Sequence, residues 1–212
     1  MSLDGFVAGP NQRLEQPLGN DGLRLHDWAF PTRWFRTMHG DDGGETGVDD
    51  DVIRGAFDGV GASILGRNMF SPTRGAWGPD PWKGWWGDTP PFRHPVFVLT
   101  HHARPPLPLL GGTTFHFVTD GIEAALAQAR AAAAGQDVAI GGGAQTVQQF
   151  LAAGLVDELE IHLVPLLLGA GERLFENLGG TKLEFVPLRV LPGKGVCHLK
   201  YRVARAAPPA PK

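Results

Sequence analysis

The chain has 212 residues, with 30 Gly, 18 Pro and 42% hydrophobic residues, and 19 Lys and Arg against 22 Asp and Glu leave a formal net charge of −3. That apolar content is too rich for a disordered chain, and the near-balance of charge gives no broad positive field, so nucleic-acid binding is not expected. A lone cysteine, Cys197, excludes an intramolecular disulfide and a cysteine metal cluster, and no stretch approaches the roughly 20 apolar residues of a membrane span, so a soluble cytoplasmic protein is expected.

At this length one domain over residues 1–205 is expected, with 206–212, Ala-Ala-Pro-Pro-Ala-Pro-Lys, a frayed tail. Asp49, Asp50 and Asp51 stack acids where a helix N-terminus favours them, and Val52, Ile53, Ala56, Phe57 and Val60 continue as a helical apolar stripe. Short apolar runs at Ser63 to Leu65, Val96 to Leu99, Phe115 to Val118, Val138 to Ile140 and Leu159 to Val164 predict strands. Between them, Asp120 and Glu123 have the spacing of a capping box opening a helix over Ile122 to Ala134, and a further helix over Gln145 to Ala153 stops at Gly154. Strands separated by helices predict an α/β domain with a mainly parallel sheet. Leu183 to Leu191 and Val196 to Ala204 flank Pro-Gly-Lys-Gly, which predicts an antiparallel hairpin on the edge of that sheet, with His198, Lys200 and Arg202 on its wet face.

Three strand ends carry candidate chemistry. Val138 to Ile140 runs into Gly141, Gly142 and Gly143 and then a helix, so an anionic group can approach bare backbone at the positive helix end; a plain tight turn is the other reading. Leu65-Gly66-Arg67-Asn68 leaves a strand through a glycine and presents Arg67, either a bidentate phosphate grip or a solvated charge. Leu99-Thr100-His101-His102-Ala103-Arg104 places polar and basic groups at a third strand end. Open α/β sheets bind ligands at such ends, so the three together point to a nucleotide site. The eight histidines show no spacing suited to a metal, and none is expected.

The strings SLDGFVAGPN, LGRNMF, FVLTHHAR and IGGGAQTVQQFLAAGLVDELEIHLVPLLLGAGERLF together resemble the dihydrofolate reductase-like family that includes the reductase domain of the riboflavin-biosynthesis deaminase-reductase. That resemblance covers most of residues 1–204. It implies a three-layer dihydrofolate reductase-like fold, NADPH as hydride donor, a small heteroaromatic or pterin-like substrate, and often a homodimer. By position it assigns Gly66, Arg67 and Asn68 to the cofactor phosphates, and Thr100, His101 and Arg104 to the ribose 2′-phosphate. Ile140, Gly141, Gly142, Gly143, Ala144, Gln145 and Thr146 fall to the pyrophosphate and nicotinamide, and Ala8 passes the nicotinamide.

Two departures stand out. Members usually begin with further residues of a first strand before SLDG, whereas this chain starts at Met1 just before it; and riboflavin-pathway members tend to carry a carboxylate where Gly141 stands. A proton donor is therefore sought elsewhere. Asp4 is one candidate, its other reading being an Asx hold on the turn to Gly5; Asp27 is a second, its other reading being a surface helix cap. Trp28, Trp77 and Trp82 are candidate walls for a flat substrate, or else seal long loops onto the core or form a dimer contact, and prolines such as Pro79 and Pro81 stiffen the second loop. A non-catalytic nucleotide- or drug-binding protein that kept the phosphate loops is the alternative.

Overall fold

In the middle of the chain, strands too apolar for a half-exposed sheet form a mostly parallel sheet whose two central strands are buried on both faces. The computed structural model describes residues 1–78 and 82–205; the expected tail at 206–212 and the expectation for Pro79 and Pro81 lie outside them. The chain divides into two compact units, one of residues 1–12, 18–52 and 148 onward, the other of residues 13–17 and 53–147.

The second unit holds β2 (Val60–Gly66), β3 (Pro95–Leu99), β4 (Leu107–Pro108), β5 (Thr114–Val118) and β6 (Asp137–Gly142), in the order β4-β5-β3-β2-β6. All neighbours are parallel except the short edge strand β4, which is antiparallel to β5. Helix α4 (Gly121–Ala133) buries Ile122, Ala125, Leu126, Ala129 and Ala133, an i, i+3, i+4, i+7, i+11 stripe, and contacts β2, β3 and β6. Alanine suits this face: a Cβ added at Gly61 in β2 would strike the backbone of Ala133, so helix and strand lie nearly in contact. Leu65, Phe70, Val96, Val98 and Phe115 form the core beyond, each at 1% exposure or less. Burial of side chains of this size is worth about 1.5–3 kcal/mol each relative to exposure.

Two expected helix starts are realised differently. Glu123 sits in the first turn of α4, but Asp120 makes no side-chain cap; its carboxylate accepts from Thr119 Oγ1 at 3.3 Å. The acid-led helix α2 (Val48–Gly55) ends before Ala56, and Val60 already opens β2, because Gly59 at φ +76° turns the chain between them.

The first unit contains β1 (Phe6–Ala8), α1 (Arg33–Met38), β7 (Glu158–Leu163), β8 (Glu172–Arg173), β9 (Leu183–Pro192) and β10 (Cys197–Arg205). Helix α5 (Ala144–Ala153) runs from the last residues of the second unit into this one, where it buries Phe150 and Leu151 completely. The predicted hairpin forms, but not as an edge of the parallel sheet: β10 pairs with β7 on its other side in a separate antiparallel sheet of order β7-β10-β9. The predicted wet face holds for Lys200, which pairs with Glu158 at 2.7 Å, and for exposed Arg202. It fails at His198, which is 1% exposed because its ring reaches Asp49 instead of solvent.

Candidate functional site

Because β2, β3 and β6 run parallel, their C-terminal ends lie on one side of the sheet, and the three candidate loops follow from there. Gly66 closes β2 directly against the start of α5: a Cβ there would run into Thr146 Oγ1, so only glycine permits the approach. Arg67 opens the one-turn helix α3 (Arg67–Phe70) and reaches across to the β3 loop, donating from Nη1 to Thr100 Oγ1 at 3.4 Å. The structure thus brings the Gly66–Asn68, Thr100–Arg104 and Gly141–Thr146 segments together. Asn68 and His101 are exposed beside buried Gly66 and Thr100.

The glycine turn after β6 is shaped for a close approach to backbone. A Cβ at Gly141 would strike Leu65 Cδ2, whereas side-chain positions at Gly142 and Gly143 face open space, and Gly142 has φ +110°. The Gly142–Gly143 peptide bond is cis. Gly143 O accepts from Thr146 N and Val147 N at 3.0 and 3.2 Å, which starts α5 with Ala144, Gln145 and Thr146 in its first turn. Ile140 lies half-buried in β6, paired with Ile64. An open, side-chain-free turn at a helix start, beside Gly66 and so next to the strand end that presents Arg67, fits the phosphates of a dinucleotide.

Arg67 and Arg104 are also tied to the tryptophan loop. Arg67 donates from Nε to Thr73 O at 3.0 Å and from Nη2 to Thr73 Oγ1 and Gly75 O at 3.3 and 3.2 Å, while its guanidinium lies 3.1 Å from the ring centroid of Trp77. Arg104 donates from Nη1 to Trp82 O at 2.7 Å. Trp77 in turn donates to His102 O at 2.8 Å and Trp82 to Phe70 O at 2.7 Å. With Trp86 and Phe92, both indoles pack on the core of Leu65, Phe70, Val96, Val98 and Phe115. Both indoles are thus partly buried against that core, with the Trp77 ring facing Arg67.

The remaining candidates lie in the first unit. Ala8 ends β1 and is buried, opposite Glu172 of β8. Asp4 accepts from Leu168 N at 3.1 Å and Gly169 N at 2.7 Å, and its backbone oxygen accepts from Arg173 Nη1 at 3.0 Å. The Ser2 hydroxyl first, and then those two amides, hold its carboxyl down at about 2. A donor group needs the opposite shift, and the amides that the Asp4 carboxylate accepts from belong to residues 168 and 169, not to the turn to Gly5. Asp27 is exposed and follows the 3-10 turn Gly22–His26 as its C-cap rather than as an N-cap. Trp28 is buried, donates to Leu25 O at 3.0 Å and lies 4.9 Å from the rings of both His162 and His198.

That histidine pair is a feature that no spacing in the sequence signals. His198 Nε2 lies 2.9 Å from Asp49 Oδ1, and the two histidine Nδ1 atoms are 2.8 Å apart, joining residues up to 149 positions distant. Since a carboxylate only accepts, His198 donates to Asp49 and, when neutral, accepts from His162. An open groove of about 240 Å³ lies beside it, lined by Trp28, Thr32, Glu45, Asp49, Asp50 and Lys194 among others. Its acids are engaged: Glu45 with Lys194 Nζ at 2.8 Å, Asp49 as above, and Asp50 with Trp34 N at 2.7 Å.

The sequence pattern of the RibD C-terminal domain family matches residues 1–197. The chain belongs to that family. Among solved structures, a riboflavin biosynthesis protein described as putative, from Shewanella sp. PV-4, is similar at TM-score 0.61 and 21% identity, covering 97% of this chain and 96% of that one. RibD of Acinetobacter baumannii is similar at TM-score 0.51 and 18% identity, covering 96% of this chain but 55% of that one. A pyrimidine reductase-like protein from Corynebacterium diphtheriae follows at TM-score 0.50 and 12% identity, covering 76% and 83% of the two chains. No curated protein matches the chain significantly. At these identities the structural likenesses establish the fold, a mostly parallel sheet with helices and an antiparallel hairpin sheet, and the family match adds a reductase-like character. Among the described residues no helix is long and apolar enough to cross a membrane.

Proposed function

We propose that the chain is a cytoplasmic NADPH-dependent reductase of a small heteroaromatic or pterin-like substrate. The observation that carries this reading is the convergence of three segments, each at the C-terminal end of a parallel strand of one sheet: Gly66–Asn68 at the end of β2, Thr100–Arg104 after β3, and Gly141–Thr146 at the end of β6. Bound there, NADPH would supply the hydride. This chain's part is to hold it: Gly142 and Gly143 let phosphate oxygens meet backbone N–H groups, and Arg67 and Arg104 supply positive charge, with Thr100 beside them. Ala8 is assigned to the nicotinamide end by family resemblance alone.

For the proton, Asp27 is the candidate carboxylate that is exposed, whereas Asp4 is held by the amides of Leu168 and Gly169. Trp28 is the aromatic candidate for a substrate wall in the same unit. That same shortage of acids favours a second reading, a binder of nucleotides without turnover: Gly141 supplies no carboxylate, and Asp4 is held ionised. A panel of dihydrofolate, pterins, flavins and pyrimidinediones, assayed by loss of NADPH absorbance, separates the two. Turnover of one compound that Asp27→Asn slows supports the reductase; tight NADPH binding without turnover of any supports the binder.

A homodimer through the C-terminal hairpin belongs to the same proposal. Strand β9 is the edge of its sheet and exposes Phe185, Val186, Leu188 and Val190, at 37–57% each. An apolar edge strand of this kind needs a cover, and a second copy provides one.

A further inference from the structure

Arg67 and Arg104 come from loops after different strands, yet both guanidinium carbons sit over one indole, 3.1 and 5.0 Å from the Trp77 ring centroid. Two like charges so placed repel. Burial foremost, and then Arg104, lower the pKa of Arg67. Among the described residues no carboxylate forms an ion pair with either guanidinium.

Hydrogen bonds to Thr73, Gly75 and Thr100 hold Arg67 and one to Trp82 O holds Arg104, but the feature the two share is the ring. An aromatic face carries negative quadrupole charge and attracts guanidinium groups, more so where water is partly excluded. Trp77 is fixed for this purpose from several sides: its Nε1 donates to His102 O at 2.8 Å, and its ring meets Phe117 and Phe70 at centroid distances of 5.0 and 6.0 Å. Thr100 stands in the same place, its hydroxyl accepting from Arg67 Nη1 and from His102 N.

We propose that Trp77 is a positioning residue for phosphate discrimination. It holds Arg67 and Arg104 as a paired dication beside Thr100, and that pair selects a phosphomonoester dianion, the ribose 2′-phosphate of NADPH, over the hydroxyl of NADH. This rests on the nucleotide-binding reading above. A dianion relieves the repulsion between the guanidinium groups and a hydroxyl does not, so the strength of the pairing enters the NADPH affinity and drops out of the NADH affinity.

The test is calorimetric titration of the full chain and its Trp77→Leu and Trp77→Phe variants with NADPH, NADH, adenosine 2′-phosphate and adenosine 5′-phosphate. For Trp77→Leu the expected result is a loss of about tenfold in affinity for NADPH and adenosine 2′-phosphate, with NADH and adenosine 5′-phosphate within about twofold of wild type. Trp77→Phe keeps a weaker ring face and loses the indole N–H, so about threefold is expected, again only for the 2′-phosphates; it carries the test alone if the leucine variant does not fold. A merely structural role weakens all four ligands together, and that outcome, or an unchanged NADPH to NADH ratio, overturns the proposal. A wild-type chain that binds the nucleotides without preferring 2′-phosphates overturns this proposal alone, whereas one that binds none of the four overturns the nucleotide reading, so the two failures are distinct.

Discussion

His198 of β10 and Asp49 of α2 meet at 2.9 Å, tying the C-terminal hairpin to the first turn of an acid-led helix. The histidine side chain is fully buried and the aspartate 14% exposed, so removing the carboxylate leaves a buried N–H without its acceptor. Asp49→Ala should therefore destabilise the fold by about 1–3 kcal/mol, measured by urea unfolding. Asp49 also accepts from Lys194 N at 3.0 Å, and a Cβ at Gly193 would strike its carboxylate, so Gly193→Ala should destabilise through the same contact.

Acid should weaken the fold through the partner histidine. Burial first, and then His198, push His162 down from 6.5 to about 4. Above pH 6.5 it is neutral whether folded or unfolded, and its full contribution is present. As pH falls towards 4 the unfolded chain takes up the proton that the folded chain refuses, so stability declines across that window, by about 3 kcal/mol at most. His162→Gln should flatten the difference in unfolding free energy between pH 7 and pH 5; an unchanged difference would assign the acid sensitivity to other groups.

The close contact of Gly66 with Thr146 makes a coupled pair. Gly66→Ala alone should lower stability and NADPH affinity, because the added methyl meets the threonine hydroxyl. Adding Thr146→Ala removes that oxygen and should restore part of both. A double-mutant cycle with coupling of about 0.5–3 kcal/mol is expected, whereas strictly additive effects would show that the hydroxyl is not what excludes a Cβ.

How far these relationships were legible in advance depended on their range. Strand ends are local: an apolar run, a glycine and an arginine lie within a few residues, so Gly66, Arg67 and Gly141 to Gly143 could be read as one kind of loop, and sheet parallelism then gathers them. The hairpin between β9 and β10 was equally local, but its neighbour was not, since nothing in residues 183–205 says that β7 rather than the parallel sheet will pair with it. His198 illustrates the limit. Its alternation with Cys197 and Leu199 assigns it to the polar face, and only the fold brings Asp49, 149 positions away, to receive it. The tryptophans have two readings in the sequence because an indole suits a ligand and a core equally, and their packing against Phe70 and Phe115 is visible only in the fold.

The exposed apolar residues of β9 make the association state testable. Leu188→Glu with Val190→Glu should convert a homodimer to a monomer in light scattering without loss of NADPH binding, since both side chains are exposed on the edge strand. A wild-type monomer would contradict the dimer directly.

On the proposed reading, the three strand-end loops hold NADPH. Quenching of tryptophan fluorescence on titration with NADPH and NADH tests it most directly, because Trp77 lies against Arg67 and Arg104. The predicted result is saturable quenching, tighter for NADPH than for NADH, weakened by about tenfold to a hundredfold in Arg67→Ala as a charged hydrogen bond is lost. Absence of binding by either nucleotide, or NADPH binding indifferent to Arg67→Ala, would contradict the account.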